Sequence, residues 1–347
     1  MDFCLQLSCD YPDVTYGADK VYGDMIEQAV LADRLGFESV AFTEHHLVNC
    51  LMNPAPMMFA VKVAAMTTNL KILTAVVVLP LHDMRTFAGE VIVADTLTDG
   101  RMMLGVGRGA FPYEMERLGV PMDETRARFD ESLDVLTTLL TEEEVEWHGE
   151  YYDFEPLTVM PRPVTPGGPP IMMAVLNPEG IRACTKRGFH IQTTPLSGDA
   201  ALFRSQVDAF TEARDEMGEA GEHLTLSLSR VAHVTPDAAY RTQILDRAHD
   251  YYGRFDNVYG GPGLVDHGKI RELPHGQTVD QLAESLLIDS PEALVDQLNV
   301  YADAGVDRMI LNVNFGLEQS LTLDSIHALA EDVIPHVGTR TTVEATT

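Results

Sequence analysis

A chain of 347 residues that is 45% hydrophobic is long enough for one large α/β barrel or for two ordinary domains. Its formal net charge of −29 disfavours nucleic acid and anionic membranes as partners, because both would repel it. No stretch reaches the ~18–20 apolar residues that span a bilayer, and the N-terminus has no signal-peptide pattern. The four cysteines, Cys4, Cys9, Cys50 and Cys184, show no CxxC spacing. This favours reduced thiols in a cytoplasmic protein.

In the first half of the chain, short apolar runs alternate with longer amphipathic stretches. This pattern is typical of alternating strands and helices. Gly36 and Pro80 each follow or close such a run, as helix-stop and strand-stop residues do. The predicted strands are 3–8, 39–42, 70–79 and 102–106, and the predicted helices are 21–35, 56–66, 86–97 and 123–140.

The pattern changes after residue 143, where acidic and apolar residues alternate around Gly149 and predict a β-hairpin at 144–154. The hairpin begins an insertion over about 144–169 that continues as a proline-rich connector. Residues 253–285 are glycine-rich and weakly periodic, which predicts a long loop that is either a mobile lid or a disordered surface excursion. The remaining predicted strands are 171–175, 190–193, 224–234 and 307–313, and the remaining helices are 178–186, 200–217, 238–252, 291–304 and 321–333.

Eight strand–helix units predict an α/β fold, a (β/α)8 TIM barrel that forms one domain over residues 1–337, with a flexible tail at 338–347. The alternative is a doubly wound sheet, which is disfavoured because no GxGxxG follows the first strand. In a barrel of parallel strands, chemistry is carried by the residues just past the C-terminal ends of the strands.

Glu44-His45-His46 stands just past the second predicted strand. A histidine there can act as an acid or base near neutral pH, and Glu44 could set its tautomer or raise its pKa. Adjacent histidines point in different directions, so at most one of them faces a reacting centre. A structural histidine pair is one alternative. A metal site is another, but no third and fourth ligand of convincing spacing is present, and we predict no metal.

Glycine-rich and capping residues follow two further strands. The run 105–109 contains Gly107 and Arg108, and it is either a simple tight turn or a place where a planar or anionic ligand approaches the backbone beside a cation. Asn177 followed by Pro178 has the form of a helix N-cap and first helical residue. The exposed N–H groups of such a helix start suit a phosphate, although an ordinary cap needs no ligand.

Taken in order, these segments resemble the bacterial luciferase-like flavin monooxygenases. The resemblance extends over nearly the whole chain and is weakest across 253–285. It implies a (β/α)8 barrel and a homodimer that uses reduced FMN (FMNH2) supplied by a separate flavin reductase. The stretches that carry it are 44–46, 74–80, 97–109, 119–126 and 289–292.

The same resemblance implies roles for single residues. His45 falls at the family's catalytic histidine, with Glu44 beside it, and a non-proline cis peptide is expected at Ala75–Val76, against the flavin ring. Arg108 falls at a flavin-contacting arginine, and Gly107 replaces a family cysteine. The phosphate turn corresponds to Leu176, Asn177 and Gly180, which lack the hydroxyl side chains that are common there.

The implied activity is insertion of one oxygen atom from O2 into a small, apolar organic substrate. Two alternatives stay open: an F420-dependent oxidoreductase of the same barrel superfamily, and a non-catalytic flavin-binding subunit. If the lid loop closes, His267 and His275 could enter the site. Further candidates for substrate or flavin contact at the barrel top are Asp10, Tyr11, His82, Phe111, Tyr113 and Arg230.

Overall fold

Short runs of buried aliphatic residues form the strands of the computed structural model, which describes residues 1–8, 10–11, 13–196 and 200–338. Cys9 and the tail predicted beyond Gly338 lie outside this part of the chain. In chain order the strands are β1 (Asp2–Gln6), β2 (Ser39–Phe42), β3 (Lys71–Thr74), β4 (Val77–Val78), β5 (Met102–Gly107), β6 (Val145–His148), β7 (Asp153–Leu157), β8 (Ile171–Ala174), β9 (His190–Thr193), β10 (Leu226–Val234), β11 (Val265–Asp266), β12 (Lys269–Ile270), β13 (Leu287–Asp289) and β14 (Arg308–Asn312).

Eight parallel strand positions close into a barrel in the order β1, β2, β3 with β4, β5, β8, β9, β10 and β14. The sheet closes because β10 pairs with both β9 and β14, and β14 in turn pairs with β1. This confirms the predicted (β/α)8 barrel. The third predicted strand is continuous at 70–79, whereas the structure divides it into β3 and β4 at a cis peptide between Ala75 and Val76.

Helices surround the barrel, and several of them start at side-chain caps. Asp83, Asn177 and Ser290 each accept a hydrogen bond from a backbone N–H of the first turn that would otherwise lack a partner. The helices are α1 (Ala18–Leu35), α2 (Pro56–Met66), α3 (Met84–Leu97), α4 (Pro112–Arg117), α5 (Thr125–Thr141), α6 (Pro178–Lys186), α7 (Ala200–Met217), α8 (Ala238–Tyr259), α9 (Val279–Ser285), α10 (Pro291–Asp303) and α11 (Gln319–Ala328). None of the helices in the described ranges is both long and apolar enough to cross a membrane.

The lower part of the barrel interior is filled by side chains. Near the N-terminal ends of the strands, the Arg308 guanidinium donates to both carboxylate oxygens of Glu38 at 3.0 Å. Above it lies a small apolar cluster that leaves only the C-terminal end of the barrel open to a ligand. The members of this cluster are Cys4, Ala41, Leu73, Met103, Met172 and Ile310.

The prediction of a lid loop over 253–285 is wrong at both ends of the segment. α8 continues through Gly253 to Tyr259, and α9 fills 279–285, where Thr278 and Gln281 form a capping box. Gly253 fits inside the helix because a side chain there would meet the Leu273 carbonyl oxygen at 2.2 Å. Gly253 therefore permits close packing of α8 against the chain at Leu273.

The other departures are local. β6 and β7 form the predicted antiparallel hairpin. Besides β11, β12 and α9 within 253–285, two short elements were not predicted: α4, which begins at Pro112, and β13, which pairs with β10 in parallel. The closing helix was predicted as one element over 321–333, but α11 ends at Ala328 and a π-helical turn follows over Leu329–Val333.

Candidate active site

A cavity of about 580 Å³ opens at the C-terminal ends of the barrel strands. Its volume lies within the range of small-molecule and cofactor sites, about 300–1,000 Å³. The lining comes from loops and strand ends around the whole barrel and from α8, which crosses the opening. The residues discussed below are His45 with the carboxylates near it, a glycine-lined wall, an arginine rim with the start of α6, a polar floor and an aromatic wall.

His45 is held by a carboxylate from α4. Oε2 of Glu114 lies 2.6 Å from Nδ1 of His45, and Oε1 of Glu114 accepts hydrogen bonds from the backbone N–H groups of His46 and Leu47. Burial alone would raise the pKa of Glu114, but these hydrogen bonds outweigh it and lower the pKa. Because an ionised carboxylate only accepts, the proton of a neutral His45 sits on Nδ1 and the lone pair on Nε2.

Glu44 does not contact His45, contrary to the expected role. Its Oε1 lies 2.8 Å from Nε2 of both His46 and His82, and its Oε2 accepts from the Val78 N–H at 2.7 Å. Burial would raise the pKa of Glu44, yet these partners lower it to about 2. The hydrogen bond to Glu44 also raises the pKa of His46. Glu44 therefore binds the loops after β2 and β4 together.

One wall of the cavity is shaped by glycine. It contains the Ala75–Val76 cis peptide and Gly107. A Cβ on Gly107 would lie 2.6 Å from Cγ2 of Val76, and a Cβ on Gly105 would lie 1.8 Å from the Thr74 carbonyl oxygen. Glycine at these two positions therefore lets β5 approach the cis-peptide segment closely, and Ala75, Val76 and Gly107 line the cavity there.

Positive charge collects at the solvent-facing rim of the cavity. Arg108, Arg126 and Arg187 all line it and are exposed. Arg187 is paired with Asp134 at 2.7 Å and Asp130 lines the same cavity, so part of the positive charge of these three arginines is offset, and Arg108 and Arg126 are left to bind an anion. We call these three residues the arginine rim.

The start of α6 lies beside the arginine rim. Asn177, Gly180 and Leu176 line the cavity, and Oδ1 of Asn177 accepts from the Gly180 N–H at 2.7 Å. Pro178 has no N–H, so the N–H of Glu179 is the one in this first turn left for an anion. The arginines, rather than the helix start, supply most of the donors at this end of the cavity.

The floor of the cavity on the β9, β10, β14 and β1 side is polar. Four side chains from these neighbouring strands line it, and Oε1 of Gln192 is buried with no hydrogen-bond partner in the described ranges. A buried amide oxygen normally has a donor, so this atom is poised to accept one from a ligand. The four residues of this polar floor are Gln6, Gln192, Ser229 and Asn312.

Aromatic side chains cover the cavity on the α8 side. Phe111 stacks on the His45 imidazole with ring centres 4.1 Å apart, and it contacts Phe255 of α8 edge to face at 5.8 Å. Phe255 in turn stacks with Tyr259 at 5.2 Å. We call the five lining residues the aromatic wall: Phe111, Tyr251, Tyr252, Phe255 and Tyr259.

The structure brings most of the predicted cofactor residues together. His45, Glu44, Phe111 and Arg230 all line the cavity, although the Arg230 guanidinium donates to the Leu196 carbonyl at 2.7 Å and to the Tyr301 hydroxyl at 3.3 Å. The predicted cofactor residues that line it are Ala75, Val76, Gly107, Arg108, Leu176, Asn177 and Gly180.

Four predicted contact residues do not line the cavity. Asp10 is buried in an ion pair with Arg254 at 2.7 Å, and the Tyr11 hydroxyl accepts from the Gly17 N–H. His82 is turned towards Glu44, and Tyr113 stacks under the Arg117 guanidinium at 3.7 Å. Each of these side chains stands near a strand end but points into a loop contact.

The two lid histidines also lie away from the cavity. His267 is exposed beside Asp266, and Nδ1 of His275 is 2.5 Å from a carboxylate oxygen of Asp256. Several residues of the site had no prediction at all: Glu114, which contacts His45, and the lining residues Arg126 and the aromatic residues of α8. Pro112 two residues before Glu114 is a helix-start signal that could have located α4.

No group of three or more potential ligands (His, Cys, Asp or Glu) that could hold a metal ion occurs within the described ranges. The donors and surfaces fit a flat, anionic organic cofactor.

Comparison with known proteins gives a family match over most of the chain. The family described as luciferase-like monooxygenase matches residues 5–308. The chain is 25% identical to the oxygenase component of flavin-dependent trigonelline monooxygenase from Acinetobacter baylyi, over 91% of this chain and 90% of that relative. It is 29% identical to 4-hydroxyprotoasukamycin monooxygenase from Streptomyces nodosus subsp. asukaensis, over 89% and 85%.

Solved structures share the barrel. Monooxygenase RslO1 from Streptomyces bottropensis superposes with a TM-score of 0.83 at 23% identity, covering 97% of this chain and 99% of that one. The oxygenating constituent of 3,6-diketocamphane monooxygenase from Pseudomonas putida, in complex with FMN, gives 0.76 at 18% identity, over 97% and 98%. An F420-dependent secondary alcohol dehydrogenase gives 0.75 at 17% identity, over 97% and 98%. At these identities the likeness establishes the fold.

Proposed function

Because this chain belongs to the luciferase-like monooxygenase family and is an oxidoreductase, we propose that it is the oxygenase component of a two-component flavin-dependent monooxygenase. In this proposal a separate flavin reductase supplies reduced FMN. One oxygen atom of O2 is inserted into a small, largely apolar organic substrate. The observation that carries the proposal is a histidine with a fixed tautomer in a cavity that has a flat wall and a cationic rim.

The residues present fit FMN. The wall of Ala75, Val76 and Gly107 would hold the planar ring, because these small and apolar residues line one side of the cavity. The unpartnered Oε1 of Gln192 on the polar floor suits the N–H donor of a pyrimidine edge. The arginine rim, with the N–H of Glu179, would bind the phosphate.

Reduced flavin, when bound, supplies the chemistry that activates O2. The chain's contribution is to bind, orient and exclude water. His45 would accept or donate a proton at Nε2, since Nδ1 is committed to Glu114. The aromatic wall covers His45 through Phe111 and keeps bulk water from the reacting atoms.

The test is a pair of anaerobic titrations followed by oxygen. We expect the chain to bind FMNH2 and not reduced F420, and to form a product that carries one 18O atom when 18O2 is admitted with a substrate panel. Hydride exchange with F420 in the absence of O2 would instead identify an F420-dependent oxidoreductase. Binding of FMNH2 without any oxygenated product from the panel, together with stimulation of a partner oxygenase, would identify a non-catalytic flavin-binding subunit.

We also propose that the protein is a homodimer, which the family resemblance implies. Exposed apolar side chains on the neighbouring helices α2 and α3 support a covered face there: Met58 and Met66 on α2, and Val93 and Leu97 on α3. Met58 is 77% exposed and Leu97 is 56% exposed, which is more than an isolated chain normally leaves in water on adjacent helices. Light scattering should give twice the chain mass of 38.2 kDa, and Leu97→Asp should shift the protein towards monomer.

A further inference from the structure

None of the five residues of the aromatic wall is among those assigned above to binding of the flavin. Four of its five members come from a single helix, α8, at positions 251, 252, 255 and 259. A helix that closes a cavity needs only aliphatic residues to exclude water. Aromatic residues at every lining position of α8 named here therefore call for a more specific explanation.

The rings of the aromatic wall touch one another in a continuous series. Phe255 is its centre, with ring centres 6.2 Å from Tyr251, 5.2 Å from Tyr259 and 5.8 Å from Phe111. Phe111 then stacks on His45 at 4.1 Å. A flat ring that packs on this wall would lie next to the imidazole to which we assign proton transfer.

Tyr251 adds a polar group to the wall. The residue is only 4% exposed and lines the cavity. Burial raises the pKa of Tyr251 well above its ordinary value, so the phenol is neutral and can both donate and accept. Because Tyr251 lines the cavity, its hydroxyl is placed to hydrogen-bond to a ligand there.

We propose that the substrate is a planar aromatic compound whose ring packs on the aromatic wall and whose hydroxyl or carbonyl oxygen hydrogen-bonds to Tyr251. This assignment rests on the proposed function, because it takes the glycine-lined wall and the arginine rim as the place of the flavin. Stacked and edge-to-face contacts with Phe255 and Phe111 would select an aromatic ring over a saturated ring of similar size.

The experiment compares three ligands of nearly the same size: 2-naphthol, naphthalene and the saturated alcohol decahydro-2-naphthol. Binding to the full chain is measured by calorimetry, with and without oxidised FMN. We expect 2-naphthol to bind at least tenfold more tightly than the saturated alcohol. We also expect it to bind more tightly than naphthalene, which lacks the oxygen.

Two mild variants separate the contributions of ring and hydroxyl. Phe255→Leu keeps an apolar side chain and should remove most of the preference for 2-naphthol over the saturated alcohol. Tyr251→Phe should weaken 2-naphthol severalfold and leave naphthalene unchanged. The control is Tyr240→Phe, which removes a hydroxyl from the same helix at a position that contacts His233 and does not line the cavity; it should leave all three affinities unchanged.

An FMNH2 titration of the same preparations distinguishes the two levels of the proposal. A chain that binds no FMNH2 contradicts the proposed function itself. A chain that binds FMNH2 but takes the saturated alcohol as tightly as 2-naphthol contradicts only the aromatic assignment. Equal losses for all three ligands in Phe255→Leu or Tyr251→Phe would also overturn the assignment.

Discussion

Oε2 of Glu114 lies 2.6 Å from Nδ1 of His45, so a carboxylate on α4 determines the tautomer of an imidazole that follows β2. The other oxygen of Glu114 accepts two backbone N–H groups, which means that all three partners of this carboxylate are donors. A substitution that removes the charge of Glu114 but keeps its shape would therefore change the tautomer of His45. It would leave the hydrogen bonds from the His46 and Leu47 N–H groups largely in place.

We predict that Glu114→Gln lowers kcat by a factor on the order of 10², within the range expected when one acid–base group is impaired. The amide oxygen can still accept the His46 and Leu47 N–H groups, but its NH2 then faces Nδ1 of His45 and forces the proton onto Nε2. FMN affinity should be unchanged, and the 15N chemical shifts of His45 should report the tautomer switch.

Glu116→Gln is the matched control, because Glu116 stands on the same short helix with an exposed side chain. It should leave kcat and the His45 spectrum as in the original chain. Unaltered turnover in Glu114→Gln, with the tautomer demonstrably switched, would contradict the proposed role of Nε2.

Acid should destabilise the fold through Glu44. Its pKa is lowered from an ordinary value of 4.5 to about 2 in the folded state, so its contribution is complete above pH 4.5 and is lost as the pH falls towards 2. The difference corresponds to about 3 kcal/mol of unfolding free energy. The raised pKa of His46 acts with the opposite sign, since its contribution is present below 6.5 and disappears as the pH rises through the folded-state value.

Urea unfolding between pH 7 and pH 3 checks this prediction. Glu44→Gln should be less stable than the original chain at pH 7, and the gap should narrow as the pH falls because the variant has no carboxylate to protonate. Glu90→Gln on α3, where the side chain is exposed, should follow the original curve at every pH. A constant gap between Glu44→Gln and the original chain would show that ionisation of Glu44 is not the cause.

Local patterns in the sequence were sufficient for the barrel and for half of the site. The bounds of β2, α2, α6 and β9 agree with their predictions, because apolar runs, N-caps and glycine stops lie within a few residues of each element. His45 and Arg108 were likewise found from their positions after strands.

The remaining site residues depend on contacts that no local pattern encodes. Glu114 is 69 residues from His45 along the chain, and its helix is too short for a periodic signal. The aromatic residues of α8 at 255 and 259 were hidden because Gly253 suggested a helix end, whereas the close approach of the Leu273 carbonyl is what requires a glycine there. Asp10 and Tyr113 illustrate the reverse error, since a position near a strand end does not determine where a side chain points.

The glycine-lined wall predicts a steric test. Gly107→Ala places a methyl group 2.6 Å from Cγ2 of Val76, so Val76 must move towards the space assigned to the flavin ring. We expect a loss of about 1–3 kcal/mol in unfolding free energy, as for other overpacked sites, and at least a tenfold weaker FMN affinity.

Gly23→Ala is the control, because a Cβ there meets nothing within 4 Å in the middle of α1. It should keep FMN affinity and gain up to about 1 kcal/mol in stability. Normal FMN binding by a folded Gly107→Ala chain would show that the flavin ring does not lie on this wall.

The arginine rim can be tested with two flavins that differ only in the phosphate. Arg126→Ala should weaken FMN on the order of tenfold, because one hydrogen bond to a charged group contributes about 1.5–3 kcal/mol. Riboflavin lacks the phosphate, so its affinity should not change.

Arg117→Ala is the control, because it removes an exposed arginine that stacks on Tyr113 outside the cavity. It should leave the affinity for both flavins unchanged. Equal weakening of both flavins in Arg126→Ala would assign this arginine to the ring instead. The rim would then have to be reinterpreted as a general attractor for anions on an otherwise acidic protein.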